Sequence, residues 1–274
     1  MKVLNDQMIA FVKAHAYGND FLYVEKSAVS GVPLEPLARE LCHRHTGIGA
    51  DGLILYAKTL SGATMSILNA DGSRAEVSGN GLRGLAAMLL SDDDRATVSV
   101  TIQTDAGDKT LMRTATVDGR QTFRAAMGLP LDVRQISLMA GGETLNPVIL
   151  NIGNPQCVVL GPLPDDARFR RLGAALEHHT VFPDGTNVEF ADVETPGRVR
   201  ILIWERGCGP TQSSGTGSCA TLVAAAMFGG ATRDAEVVAP GGAQRVEWLH
   251  DSVYLTGWAE VVCRGEWVRP LPGR

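Results

Sequence analysis

Two short runs in the chain place a hydroxyl, small residues and an apolar helix in the same order. Ser214-Gly-Thr-Gly217 leads into an uncharged run from Cys219 to Phe228 that stops at Gly229-Gly230. Ser78-Gly-Asn-Gly81 leads into Leu82-Arg-Gly-Leu-Ala-Ala-Met-Leu-Leu90, stopped by Ser91 and three aspartates. A helix start presents backbone N–H groups and a partial positive charge, and small residues let an anion come close to both. Each run therefore predicts an anion-binding helix start with a serine hydroxyl at its mouth. A helix apolar on every side is expected to be buried throughout. Ser78 and Ser214 stand 136 positions apart in a chain of 274 residues, close to half its length. Repeated motif, repeated helix and half-length spacing together predict two structural halves that aim their helix starts at one shared pocket.

Other polar residues gather around these starts. Glu205 and Arg206 follow the apolar strand end Ile201 to Trp204, just before the second start. Asn19, Asn69, Asn154 and Asn187 sit beside Gly, Asp or Pro, or at a strand start. One at a time, the asparagines read as turn chemistry and Glu205–Arg206 as a solvated ion pair. As a group, amides and charges of this kind suit a zwitterion with more than one ammonium and carboxylate. Cys219 falls inside the second helix and is expected in the core, as free cysteine usually is. Cys208 lies on the turn beside Arg206, where it can be exposed.

Composition narrows the function classes. Hydrophobic residues make up 45% of the chain, enough for a full core, and 274 residues fit one large or two small domains. The net charge is −5 with no basic run, which argues against nucleic acid as a partner. No apolar stretch approaches the ~18 residues a membrane span needs. Met8 to Val12 is too short for a signal-peptide core, so a cytoplasmic protein is expected. The five cysteines are scattered without a C-x-x-C pair, and the histidine pairs His43/His45 and His178/His179 lack i, i+4 spacing. Neither a disulfide framework nor a metal site is expected.

The elements that must position these residues are mostly short strands. Met1 to Gln7 reads as a ragged extension, followed by strands from Ile9 and from Phe21 around a Gly18-Asn19 turn. Leu37 to His45 has helical spacing after Pro36. The glycine-rich Gly47 to Gly52 precedes a strand, so it is not a dinucleotide fingerprint. Strands are expected over Leu53 to Tyr56, Met65 to Leu68, Thr97 to Gln103, Thr110 to Val117 and Thr122 to Met127. Pro130 to Gly142 reads as a hinge. Beyond it come strands Val148 to Ile152 and Cys157 to Leu160, a polar helix near Asp165 to His179, and strands Asn187 to Phe190 and Val199 to Trp204. After the second apolar helix, strands Glu236 to Val238, Gln244 to Trp248, Val253 to Leu255 and Ala259 to Cys263 close the chain. Many short strands with one buried helix per half describe an α+β fold.

The motifs themselves resemble a known family. His15-Ala-Tyr-Gly-Asn-Asp-Phe21, Arg44-His-Thr-Gly-Ile-Gly-Ala-Asp51, Asn69-Ala-Asp-Gly72, Ser78-Gly-Asn-Gly-Leu-Arg83, Gly153-Asn-Pro155, Glu205-Arg-Gly207, Ser214-Gly-Thr-Gly217 and Pro240-Gly-Gly242 resemble the pyridoxal-phosphate-independent diaminopimelate epimerases, over roughly Phe11 to Trp267. The resemblance implies two pseudo-symmetric halves, each a curled, mostly antiparallel sheet around a central buried helix. The halves would comprise residues 8–131, with 264–274 returning to them, and residues 132–263. It also implies an isomerase of lysine and cell-wall precursor biosynthesis that interconverts LL- and meso-diaminopimelate without a cofactor, as a homodimer. In the family two cysteines face each other across the substrate α-carbon, one removing a proton as thiolate and the other donating one. By resemblance Gly79, Asn80, Gly215 and Thr216 hold the substrate carboxylate, and Asn19, Asn69, Asn154, Asn187, Glu205 and Arg206 hold the rest of the amino acid.

The chain departs from that pattern at three positions. Ser78 and Ser214 occupy the family's cysteine positions, and Gln156 stands where a histidine usually follows the Gly-Asn-Pro turn. A thiol ionises near pH 8.5 and an alcohol about as reluctantly as water, near 15.7. Seven units at about 1.36 kcal/mol each come to roughly 10 kcal/mol, and a helix start returns at most about 2. A serine in place of the thiolate is expected to be very slow without another base. Glu205 is the nearest by sequence, and Gln156 cannot serve. The alternatives are a catalytically altered or inactive relative that binds or otherwise isomerises a diamino acid, and a cysteine-to-serine variant made to trap substrate. The additional change at Gln156 favours natural divergence.

Overall fold

The structure is a computed structural model that describes residues 7–75 and 77–269. The expected ragged extension falls outside these residues except for Gln7, which opens the first strand. The described residues divide into two compact units. One takes the chain up to Leu111, Ala115–Gln121 and the residues from Ala259 on; the other takes Met112–Thr114 and Thr122–Trp258. The crossings were expected at 131/132 and 263/264. By this division they fall inside the strands Gly107–Val117, Arg120–Gly128 and Val253–Arg269. Val253–Arg269 is one continuous strand, where two short ones, Val253 to Leu255 and Ala259 to Cys263, were expected.

The first unit opens with an antiparallel hairpin, Gln7–Ala16 against Asn19–Glu25. Ala16 pairs with Asn19, leaving Tyr17 and Gly18 as a two-residue loop with φ of 55° and 86°. Positive φ at both positions is the turn that matches the twist of paired strands, and Tyr17 is an uncommon residue to adopt it. Helix α1 (Leu34–Cys42) then crosses to Gly52–Thr59, which runs parallel to Asn19–Glu25. The helix begins three residues before the expected Leu37. Pro36 falls in its first turn, where a missing N–H costs nothing, and Leu37, Ala38, Leu41 and Cys42 face the core. A hairpin returns along Gly62–Asn69, and helix α2 (Gly79–Leu89) crosses to Val98–Thr104, parallel to Gly62–Asn69.

The second unit repeats this order. Val148–Asn151 and Pro155–Leu160 form a hairpin, and helix α3 (Asp166–Glu177) crosses to the parallel strand Asn187–Thr195. Arg198–Glu205 returns antiparallel, and helix α4 (Gly215–Ala224) crosses to Asp234–Ala239, parallel to Arg198–Glu205. The registers repeat with the sequence offset: Phe21 pairs with Gly52, and 136 positions on, Cys157 pairs with Val188. The α+β class holds, with every helix joining parallel neighbours inside otherwise antiparallel sheets. The expected hinge is instead mostly strand. Leu131–Gln135 pairs with Val148–Asn151, and Leu138–Ala140 with Glu143–Leu145, where Leu138 and Ala140 are buried and Met139 between them is exposed, the period of two that a strand imposes.

The two central helices are held by close approach. Everything from Gly79 to Met88 is buried. A Cβ on Gly84 would stand 2.1 Å from the Tyr23 hydroxyl, and that hydroxyl donates to the Gly81 carbonyl at 2.9 Å. Residues Gly215 to Ala224 are likewise buried, and Cys219 lies in the core as expected, while Cys208 is exposed. The apolar run was expected to be buried to its end. It passes instead into a π-helical turn, Ala225–Gly229, stopped by Gly230 at φ 81°, and Met227 and Phe228 emerge 48% and 42% exposed.

Candidate active site at the two helix starts

At the first helix start, Ser78 is the N-cap of α2, and its Oγ accepts the Gly81 N–H at 3.1 Å. Short polar side chains are the preferred caps because they satisfy one of the N–H groups the helix leaves over. A chain of amides runs away from the start. Arg83, 1% exposed, donates to the Asn80 oxygen. Asn80 donates to Asn19 Oδ1 at 3.0 Å, and Asn19 to Asp51 Oδ2 at 2.9 Å. Asp51 and Asp20 are bound to each other through their backbone N–H groups, and Arg44 donates to both, at 2.7 and 2.8 Å. Lys13 lies 2.9 Å from Asp20. Burial disfavours the Asp20 charge, yet Arg44 and Lys13 outweigh it and hold the carboxyl below the usual range. Asp51 is pushed up, by burial and by the charge of Asp20. Asn69 closes its own turn, donating to Ser73 Oγ at 2.9 Å, as the turn reading predicted.

At the second start, Ser214 caps α4 in the same way, its Oγ accepting the Gly217 N–H at 3.1 Å. Asn154 Nδ2 donates to Thr216 Oγ1 at 3.4 Å. Gln156 is fully buried. With its amide turned to satisfy its neighbours, its nitrogen donates to both oxygens of Glu189, at 3.0 and 3.2 Å. Its oxygen then accepts from Thr216 Oγ1 at 3.2 Å and from Asn187 Nδ2 at 3.3 Å. Asn187 Oδ1 accepts the Arg206 N–H at 3.0 Å, so this amide also shapes the turn that carries Glu205 and Arg206. Glu177, at the end of α3, braces that turn from the other side. Its two oxygens accept from Gly207 N and Trp204 Nε1, both at 2.7 Å. The Arg206 guanidinium donates to the Asp184 carbonyl at 3.0 Å.

The structure thus joins Asn19 with Asn80 in one unit, and Asn154, Gln156, Asn187 and Thr216 in the other. Glu205 and Arg206 stand on the turn next to the second set. Sequence reasoning passed over Glu189, whose signal was a charge within Val188, Phe190 and Ala191, a stretch buried on both faces. Burial pushes the Glu189 carboxyl well above the ordinary range, and the charge of Glu205 adds to the shift. Arg83, a buried charge inside an apolar helix, marks the same kind of position.

A sequence model of the family described as diaminopimelate epimerase matches residues 11–130 and 148–262. The chain belongs to the diaminopimelate epimerase family. The diaminopimelate epimerase of Desulforudis audaxviator (strain MP104C) is 40% identical, over 94% of this chain and 99% of its own. That of Desulfitobacterium hafniense (strain DSM 10664 / DCB-2) is 38% identical, over 93% and 96%. A chloroplastic relative from Oryza sativa subsp. japonica is 36% identical, over 95% of this chain and 80% of its own. Among solved structures, a hydroxyproline epimerase from Agrobacterium vitis shares the fold at 18% identity, with a TM-score of 0.75 over 97% of this chain and 94% of that one. A probable proline racemase from Agrobacterium radiobacter K84 does so at 19% identity, with a TM-score of 0.74 over 94% and 92%. The family is an isomerase family, and its two-part fold is the one described above.

Proposed function

We propose that the protein inverts one α-carbon of diaminopimelate, LL to meso, without a cofactor. The observation that carries this reading is the pair of serine-capped helix starts, each backed by an amide set, in a chain whose relatives of 34–40% identity are diaminopimelate epimerases. Gly79, Asn80, Gly215 and Thr216 would offer helix-start N–H groups and side chains to the reacting carboxylate. Asn19, Asn69, Asn154, Asn187, Glu205 and Arg206 would hold the ammonium groups and the distal carboxylate. Ser78 and Ser214 take the places of the family's two cysteines. Each hydroxyl accepts a backbone N–H and retains its own proton to donate. They suit the donor's part better than the base's. The base in this reading is Glu205, on the turn beside the second start.

The occupied serine oxygens also favour a second reading, a catalytically altered relative that binds a diamino acid. Incubating the protein with LL-diaminopimelate in D2O, and following α-deuteration and the diastereomer ratio by NMR, decides between them. Deuteration with appearance of the meso form supports the epimerase. Binding by calorimetry without exchange selects the altered relative, and no binding overturns both. A homodimer in the cytoplasm belongs to the same proposal and rests on the family resemblance. Light scattering on the purified protein tests the dimer.

A further inference from the structure

Glu189 has no part in the reaction as proposed, yet it lies against the second helix start. It is fully buried on the strand Asn187–Thr195, two residues beyond Asn187 and so on the same face. A Cβ on Gly217 would stand 2.4 Å from its Oε1, which puts the carboxyl directly beneath the first turn of α4. Among the described residues no cation offsets it. Its hydrogen-bond partner is the Gln156 amide. A buried carboxyl is costly unless its neighbours are arranged around it. Here those neighbours lead outward to the substrate-facing groups. The amide that donates to Glu189 accepts from Thr216 and Asn187.

We propose that Glu189 is the positioning residue of the second helix start, anchoring the Gln156 amide so that its oxygen fixes Thr216 and Asn187 for the substrate's carboxylate and ammonium groups. The assignment rests on the diaminopimelate reading for its substrate, and on the Glu189–Gln156–Thr216/Asn187 contacts for its geometry. Gln156 then has a defined part in this chain without serving as a base. Its amide presents a donor to the carboxyl behind it and an acceptor to the site in front, which an apolar residue of its size cannot do.

The test compares Glu189→Leu, which removes the anchor, with Glu189→Gln, which keeps an acceptor of the same shape. In nitrogen-15-labelled protein the Gln156 side-chain amide is assigned by its loss in Gln156→Met. That amide is expected to shift in Glu189→Leu and to hold its place in Glu189→Gln. With diaminopimelate, Glu189→Leu is expected to raise KM about 10- to 100-fold with kcat little changed, as for lost supporting contacts elsewhere, and Glu189→Gln to recover most of the loss. Should Glu189→Leu fail to fold, Gln156→Met is expected to raise KM over the same range with Glu189 intact. An unmoved Gln156 amide in Glu189→Leu, or an unchanged KM in either apolar variant, overturns the assignment. If the wild-type protein neither binds nor turns over diaminopimelate, the function proposed above fails. The amide signals then decide the role of Glu189 alone.

Discussion

The two helix starts share their topology, their capping serines and their parallel strand register, but different charges lie behind them. Behind Ser78 is a cation, Arg83, whose amide chain through Asn80 and Asn19 ends at the ionic cluster of Asp51, Asp20, Arg44 and Lys13. Behind Ser214 is an acid, Glu189, held by the Gln156 amide and raised by burial and by the charge of Glu205. The same scaffold therefore gives each start a different electrostatic setting.

The largest effect is expected from introducing thiols at the two capping positions. Ser78→Cys together with Ser214→Cys should raise α-proton exchange in D2O by about a thousandfold or more, toward the upper range of acid–base catalysis. If the starts are unequal, the single variants should differ in the diastereomer from which they exchange the proton. Equal single variants would break the comparison.

Next come the close approaches. Gly84→Ala drives a methyl into the Tyr23 hydroxyl, and Gly217→Ala drives one into the Glu189 carboxyl. Overpacking of this kind costs about 1–3 kcal/mol, measurable by urea unfolding. Only Gly217→Ala, which displaces the acid behind the second start, should also raise KM.

The pH dependence of stability should run in opposite directions. Burial raises the Glu189 carboxyl in the folded state, so its contribution is full below the unfolded pKa, near 4.3, and is lost as pH rises through the folded value. Glu189→Gln should therefore gain on the wild type as pH rises. Asp20 is lowered despite burial, by Arg44 and Lys13, so its contribution is present above about 3.9 and lost as pH falls through the lowered folded value. Asp20→Asn should cost about 2 kcal/mol at neutral pH, the scale of a hydrogen bond to a charged group, and progressively less in acid. Thermal unfolding from pH 3 to 9 gives both slopes, and slopes of one sign would remove the electrostatic contrast.

The smallest effect tests what the starts share. Ser78→Ala and Ser214→Ala each remove one N-cap acceptor and should cost about 1 kcal/mol apiece, by the same unfolding assay. Clearly unequal costs would show that one serine is more than a cap.

The features legible in the chain were the local ones. A cap, small residues and an apolar run specify a helix start within about a dozen positions, so Ser78 and Ser214 were found with their helices. The asparagines were legible as a group, and the structure joins Asn19 to Asn80 and Asn154 to Thr216, while Asn69 serves its turn. The long strand Val253–Arg269 was read as two because Thr256-Gly257 resembles a break, and the partners that keep it extended are far away in sequence: Gly242–Trp248 on one stretch and Gln7–Ala16 on another. The exposed end at Met227 and Phe228 was missed because periodicity cannot tell a buried last turn from one that leaves the core.

By itself the sequence determined the repeat, the two helix starts, the family and the kinds of side chain available for chemistry. Those depend on short-range spacing and on motifs that survive as strings. Only the tertiary structure decided which charge backs which serine. Glu189 lies 25 positions before Ser214 and meets α4 only because parallel crossovers bring that strand beneath the helix. Arg83 and Glu189 became different from surface charges through burial, and burial is a property of the packed neighbours rather than of the residues.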